Sequence, residues 1–433
     1  MKRKLLRQIS NEWRANTWLS LELLIVSVVL WYLVDLFYVN ISVFNEPRGF
    51  NTENCYLINQ RELSPKSPEY KEYENGGDER DDFQKLFEAL QNRPDVEAVE
   101  AGYNAFFYNG SNSGGPVRHE TLDIPNDGRY IVHRRVTADF PIVFGLRGSL
   151  GESSEELAKI MREKQRGCFL ASANLLGDES RAGELRDHIG EVFDVSGDSL
   201  VLAGVYQTAR YADFYPGYSS PSIIIPRAPR HTSNGELVVR VKEKMDDGHF
   251  DELLMKEADN YRFGNFYIAS VKPFTEIRNN FQRNTVKGLT QMAIASLFLA
   301  LNIFLGILGT FWFRTRQRMS EIALRMACGA SRTSVFRRIV SEGEVLLLLV
   351  TPVAIVCDWL LTKYQMNTWH NGGYFVAPRF VACVVITWAL VSLMIFLGSL
   401  FPARRAMHVA PAVALKDECY STLSFRQSDE MLH

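Results

Sequence analysis

Residues 288–313 read GLTQMAIASLFLALNIFLGILGTFWF, without a single charged side chain. Roughly 20 apolar helical residues cross the hydrocarbon core of a bilayer, so this block predicts a transmembrane helix. A second charge-free block, 380–402, predicts another. Residues 17–39 carry Glu22 and Asp35, each near an end, where a carboxylate is expected to reach the headgroups. Residues 345–362 contain Pro352 and end near Asp358. Proline is tolerated there because neighbouring helices satisfy the carbonyl it frees. The whole-chain figures, a net charge of −2 and 46% hydrophobic residues over 433 positions, describe an ordinary soluble protein only because charged and apolar blocks average out.

Orientation follows from lysine and arginine beside the spans. Residues 1–16 hold five basic side chains and one acidic, and residues 314–344 hold seven basic and three acidic. Both are therefore expected in the cytoplasm, together with the tail, 403–433. Residues 40–287 then lie outside, as does the short connection 363–379. The 17–39 block has basic residues before it, like a secretory signal, but its apolar run is too long and no small-residue cleavage pattern follows. It is expected to remain as an anchor.

The outer segment has globular composition. Phe83, Leu86, Phe87 and Leu90 fall at i, i+3, i+4 and i+7, a helix with one buried face, capped by Asp81 or Asp82 and ended by Pro94. Strands are expected at 96–101, 130–136, 199–206, 222–225, 237–241 and 265–271, with a helix at 249–258. Such alternation indicates an α+β or α/β domain, in one lobe or two. Residues 64–78 and 109–116 look loose. After Pro273 an apolar face of Phe274, Ile277 and Phe281 leads into 288–313, either as one long helix or as two broken at Gly288.

Enzyme signatures are missing. No phosphate-binding Gly-x-x-x-x-Gly-Lys-Ser/Thr loop, Gly-x-Ser-x-Gly or His-Glu-x-x-His occurs. His119, His133, His188, His231 and His249 are scattered, and no metal-binding or catalytic residues are predicted. The six cysteines show no metal-ligand spacing. Only Cys55 and Cys168 share the outer segment, and spacing leaves open whether they pair.

The informative region is 313–344, FRTRQRMSEIALRMACGASRTSVFRRIVSEGE. Ser320 is a candidate N-cap with Glu321 in the first turn. Met319, Ile322 and Met326 form an apolar stripe, and Glu321 and Arg325 stand at i, i+4 in the favourable order. Gly329 suits the C-cap, and Ser331 starts the next helix. This predicts a short amphipathic helix between two spans, which could equally rest on the membrane surface.

Arg318-x-x-Glu321-Ile322 followed by Ala327-x-Gly329-Ala330-Ser331 closely resembles the loop after the second span of MacB/FtsX-type ABC transporter permeases. A C-terminal signature is also similar: Pro402-Ala403-Arg404-Arg405-Ala406, then Pro411-Ala412-x-Ala414-Leu415. In the outer segment, His188-Ile189-Gly190 and Val201-Leu202-Ala203-Gly204-Val205 look like the family's Ile-Gly turn and following strand. Cys328 and Met326 depart from its usual residues.

The resemblance implies an α-helical membrane protein of four transmembrane helices with a large extracytoplasmic α+β domain between helices 1 and 2, in a bacterial inner membrane. It implies a non-catalytic subunit without cofactors, ATP and magnesium being bound by a separate ABC ATPase. Arg318, Glu321, Ile322, Arg325, Met326, Ala327, Gly329, Ala330 and Ser331 would form the loop that couples to that ATPase. The other expected partners are a second permease copy or homologue, a periplasmic adaptor and an outer-membrane channel, with no nucleic acid. Efflux of a periplasmic substrate is the expected function. Lipoprotein release by the same superfamily is the alternative, and a membrane signalling receptor is the competing class.

Overall fold

The computed structural model describes residues 13–72, 79–125, 130–164, 167–217, 221–229, 235–369 and 373–408. Two compact units emerge: Ser42–Lys287, and the described parts of Met1–Ile41 with Gly288–His433.

The first unit is built on one ten-stranded mixed sheet. Its strands are β1 (Cys55–Glu62), β2 (Val96–Tyr103), β3 (Val117–Arg118), β4 (Val132–Val136), β5 (Cys168–Ser172), β6 (Val192–Val195), β7 (Asp198–Tyr206), β8 (Ser222–Pro226), β9 (Gly235–Val241) and β10 (Phe266–Pro273). They lie in the order β10-β1-β9-β2-β4-β8-β5-β7-β6-β3. The β4–β8 and β5–β7 pairs are parallel and the remaining neighbours antiparallel. Among the described residues the sheet is continuous, and the unit is α+β.

Helices α1 (Trp13–Asn45) and α2 (Glu79–Gln91) flank β1 in sequence. Phe83, Leu86, Phe87 and Leu90 of α2 are all buried, in one cluster with Val99, Leu237, Val239 and Phe266, as their 3.6-residue period requires. The helix begins at Glu79, so Asp81 and Asp82 lie inside its first turn rather than at the cap. Helices α3 (Phe140–Val143) and α4 (Ser154–Glu163) contribute Phe140, Val143, Leu157 and Met161 to a second cluster with Phe107, Leu170 and Val238. Helix α4 opens with a capping box between Ser153 and Glu156. Helix α5 (Ala182–Asp187) covers the far strands, with Leu185 against Phe169, Phe193 and Leu202. Helix α6 (Phe250–Lys256) adds Phe250 and Leu254 beside α2.

Residues 109–116 are not a free loop. Gly114 bridges Val132, and Ser113 exchanges hydrogen bonds with His133 at 2.8 and 3.1 Å. Cys55 and Cys168 are both buried free thiols.

Among the described residues four helices are long and apolar enough to cross a membrane: Thr17–Asn45, Phe274–Gln317, Arg332–Lys363 and Ala377–Leu400. Helix α7 (Phe274–Gln317) runs unbroken through Gly288. Its 44 residues span about 66 Å at 1.5 Å per residue. After α8 (Met319–Ala327), α9 (Arg332–Lys363) carries straight through the 344/345 boundary expected between loop and span. Helix α10 (Ala377–His408) completes the set. The core holds Leu23, Leu30, Ile307, Phe311, Leu346, Leu347, Val391 and Ile395. At Gly343 any side chain would press within 2.6 Å of Ile395 and 2.7 Å of Phe311, so glycine is what lets α9 approach both neighbours.

Local contacts decide the placement of three polar residues of the spans, and one of them, Asp35, departs from the expected headgroup position. Asp35 does not reach outward: it is 1% exposed and accepts from Arg379 Nε at 2.7 Å and Nη2 at 2.5 Å. Asp358 is buried too. Asn302 donates to Phe298 O of its own helix at 2.7 Å. In each case burial or a nearby acceptor prevails over position along the span.

Candidate coupling site

Helix α8 is held at both ends. Its N-cap is Arg318, not Ser320, and no side chain caps it. Arg318 reaches across to α9, with Nη1 at 2.9 and 2.8 Å from the two Glu342 carboxylate oxygens and Arg314 Nη1 3.8 Å from the same group. At the far end Gly329 adopts φ +92°, the left-handed turn that closes a helix. Its N–H donates to Met326 O at 3.1 Å and that of Ala330 to Arg325 O at 3.0 Å. Ser331 then caps α9 by accepting from Ser334 N at 3.2 Å.

Between these ends Ile322, 7% exposed, packs on Val335 of α9, with Met319, Met326, Ala330 and Ile339 around them. Glu321 accepts from Arg325 Nε at 3.0 Å and Nη2 at 2.6 Å, with Arg338 Nη2 4.0 Å away. These groups line a cavity of about 50 Å³ between α8 and the ends of α7 and α9.

The structure therefore brings Arg318, Glu321, Ile322 and Arg325 together, with Ile322 buried and the Glu321 and Arg325 side chains 39% and 41% exposed. The outward face of α8 and its exit is Leu324, 55% exposed, with Ala327, Cys328, Gly329 and Ser331. Sequence periodicity identified the inner stripe and overlooked Leu324, which stands opposite it. In the C-terminal motif, Pro402, Ala403, Arg404, Arg405 and Ala406 fall in the last turns of α10, while Pro411 and Leu415 lie outside the described residues.

A polar node within the sheet unit was not anticipated. Asp213, 1% exposed, accepts from Tyr108 Oη at 2.6 Å, Gln282 Nε2 at 2.7 Å, and Arg278 Nε and Nη2 at 2.7 and 2.5 Å. Burial pushes its carboxyl upward, but the hydrogen bonds from Tyr108, Gln282 and Arg278 prevail and hold it below the usual aspartate range. Buried Arg210 donates to Val43 O, Glu46 O and Asp213 O, neutralising carbonyls at the end of α1. The loop 208–213 thus grips the chain just after α1 and the first turns of α7. Nothing in the local sequence marks Asp213, because its partners lie 65 to 105 residues away.

A second buried charge group sits on β2, β4 and β9. Glu236 accepts from Ala105 N at 2.7 Å, Phe106 N at 3.1 Å and Asn109 Nδ2 at 2.6 Å, and burial pushes it up to about 7. Burial raises Glu100 well above the ordinary carboxylate range, and the neighbouring Glu236 charge adds to that. Arg134 lies over the Phe107 ring, 4.2 Å from its centroid, and donates to Ala105 O. The histidines are less scattered than their sequence positions suggest, since the rings of His119 and His188 stand 5.2 Å apart.

Residues 293–411 match the family described as FtsX-like permease C-terminal. The chain is 26% identical over 165 residues to the macrolide export ATP-binding/permease protein MacB of Bradyrhizobium diazoefficiens, covering 34% of this chain and 23% of that protein. It is 29% identical over 129 residues to the pyoverdine export ATP-binding/permease protein PvdT of Pseudomonas putida, covering 29% and 18%. The matches thus span a quarter or less of these relatives' own length. Similar solved structures include the periplasmic region of MacB from Actinobacillus actinomycetemcomitans (TM-score 0.33, 9% identity, 56% of this chain and 98% of that one). Another is the extracellular domain of the ABC-type transporter YknZ from Gram-positive bacteria (TM-score 0.28, 12% identity, 49% and 100%).

Proposed function

The chain is an ABC permease of the MacB/FtsX type, and on that premise we propose that it couples ATP hydrolysis by a partner ATPase to motion of its sheet unit. In this reading α1, α7, α9 and α10 cross the inner membrane, the sheet unit stands outside, and α8 faces the cytoplasm. The carrying observation is the build of α8. Arg318–Glu342, the Ile322–Val335 contact and the Gly329 turn lock it to α7 and α9, leaving Leu324 and Cys328 outward. A short helix fixed this firmly moves with the spans it joins, so a push from a bound ATPase reaches them undiminished.

Helices α1 and α7 lead into and out of the sheet unit, and the Asp213 and Arg210 contacts fasten both ends to one loop. Their motion would pass into the sheet rather than into slack chain. Export is preferred over lipoprotein release because both relatives are named as exporters, of macrolides and of pyoverdine. A second permease copy or homologue and an adaptor belong to the same proposal.

The test is co-purification and transport-linked ATPase activity with Leu324→Asp, beside the pair Glu321→Ala/Arg325→Ala. The first should abolish ATPase capture while Trp fluorescence of the spans is unchanged. If both variants retain the ATPase and its stimulation, α8 is not the docking element.

A further inference from the structure

Outside the coupling site, three side chains from two segments of the sheet unit converge: His119, His188 and Glu191, whose ligand atoms all lie within 4.8 Å of one another. His119 follows the short edge strand β3, paired to β6 through Val117–Val195 and Arg118–Asp194. That pairing lays its ring 4.3 Å from Phe193, and its side chain is 6% exposed. His188 caps the end of α5. Glu191 lies just before β6, in a turn made by Gly190 at φ +101° and pinned by Gly190 N to Leu202 O at 2.9 Å.

We propose that His119, His188 and Glu191 form a binding site for a divalent transition cation of the zinc class. The donor set is apt: two imidazoles and a carboxylate suit zinc, with bonds of about 2.1 Å and a fourth position left to water. Tetrahedral ligands at that bond length stand about 3.4 Å apart. His119 Nε2 and Glu191 Oε2 are 3.1 Å apart, so that pair already matches. His188 has to close only the remaining part of the gap, since all three ligand atoms already lie within 4.8 Å of one another.

The outer contacts orient the rings. His188 Nδ1 lies 2.9 Å from Glu184 O, an acceptor only, so Nδ1 carries the proton and Nε2 presents its lone pair. His119 Nδ1 accepts from Thr121 N at 3.4 Å and Leu122 N at 3.3 Å, so without metal its proton sits on Nε2, facing Glu191. Metal binding requires that proton to leave Nε2, with Thr121 Oγ1, 3.3 Å from Nδ1, as the acceptor if it moves there. A bound cation would tie the edge strand β3 to the turn between α5 and β6.

The simpler account of the same geometry is a His119–Glu191 hydrogen bond with a ring stacked on Phe193, and it predicts no metal affinity. The experiment uses the full chain in detergent, without a polyhistidine tag, with accessible thiols alkylated and bound metal removed by chelation. Zinc is titrated by equilibrium dialysis, and cobalt serves as the optical reporter of four-coordinate geometry.

One zinc per chain is expected, with the absorption of tetrahedral cobalt. His188→Ala and Glu191→Gln should each weaken binding by about 10- to 100-fold or more. Both are peripheral enough to leave folding intact, whereas His119→Ala removes a packed ring and is read only beside them. Added zinc should raise the melting temperature of the parent and not of His188→Ala. Substoichiometric zinc, or full binding in His188→Ala and Glu191→Gln, overturns the site.

Discussion

Replacing Asp213 by alanine tests whether one buried carboxylate fastens the chain after α1 and the start of α7. The substitution strands the Tyr108 hydroxyl and the Gln282 amide, both buried, and removes the acceptor of Arg278. An unsatisfied buried polar group costs about 1–3 kcal/mol, and breaking a buried ion pair about 3–5 kcal/mol. Arg278 is 33% exposed, so water compensates part of its loss. The sum is about 4 kcal/mol, or roughly a thousand-fold in a local opening equilibrium. Hydrogen exchange with mass spectrometry on the full chain reads this directly. Peptides covering 42–48 and 274–287 should exchange faster, while β5 and β7 keep their protection. Asp213→Asn, which retains one acceptor, should fall between. Because the folded-state pKa of Asp213 is depressed, its contribution is present above the ordinary value of 3.8 and is lost as pH falls through the folded value. Acid should therefore loosen the same two peptides first. Unchanged protection in Asp213→Ala would refute the node.

Glu236 behaves with the opposite sign. Its pKa is raised from 4.5 to about 7, so its stabilisation is complete below 4.5 and is lost as pH rises through 7, by about 3 kcal/mol; denaturant midpoints of the sheet unit between pH 5 and 8 should show it, and Glu236→Gln should flatten the slope. Gly329→Ala forces a side chain into φ +92° and should cost about 1 kcal/mol, read as a lower melting temperature of the helical unit in detergent. Asp35→Asn or Arg379→Met alone should lower the detergent melting temperature sharply, by about 3–5 kcal/mol, while the double change to Leu and Met recovers much of it. Trp fluorescence isolates that measurement, since none of the seven tryptophans lies in 42–287.

What could be read beforehand followed from periodicity and from short-range chemistry. The apolar blocks of α7 and α10, the buried face of α2 and the Gly329–Ser331 turn all announce themselves within a few residues. The ends of elements were less legible: α2 starts before its aspartates, and α9 begins at Arg332 because Ser331 caps it, well ahead of its apolar run. Strands β1 and β5 escaped notice because Cys55–Glu62 and Cys168–Ser172 lack simple alternation. Ile322 illustrates a different limit, since an apolar stripe shows that one side of a helix is buried without saying against what. Asp213, Asp35 and His119 were illegible for a common reason. Each acquires its role from partners brought close by the fold.

The Asp35–Arg379 pair also dictates an order of construction. The two residues are 344 positions apart, so at about 5–20 residues per second the ribosome needs roughly 20–70 s to supply the arginine after the aspartate. Throughout that interval α1 carries an uncompensated carboxylate, and only the arrival of α10 removes the penalty. The helical unit thus cannot close until residue 379 has been made, and a product cut short before residue 377 would expose an acidic helix to cellular quality control.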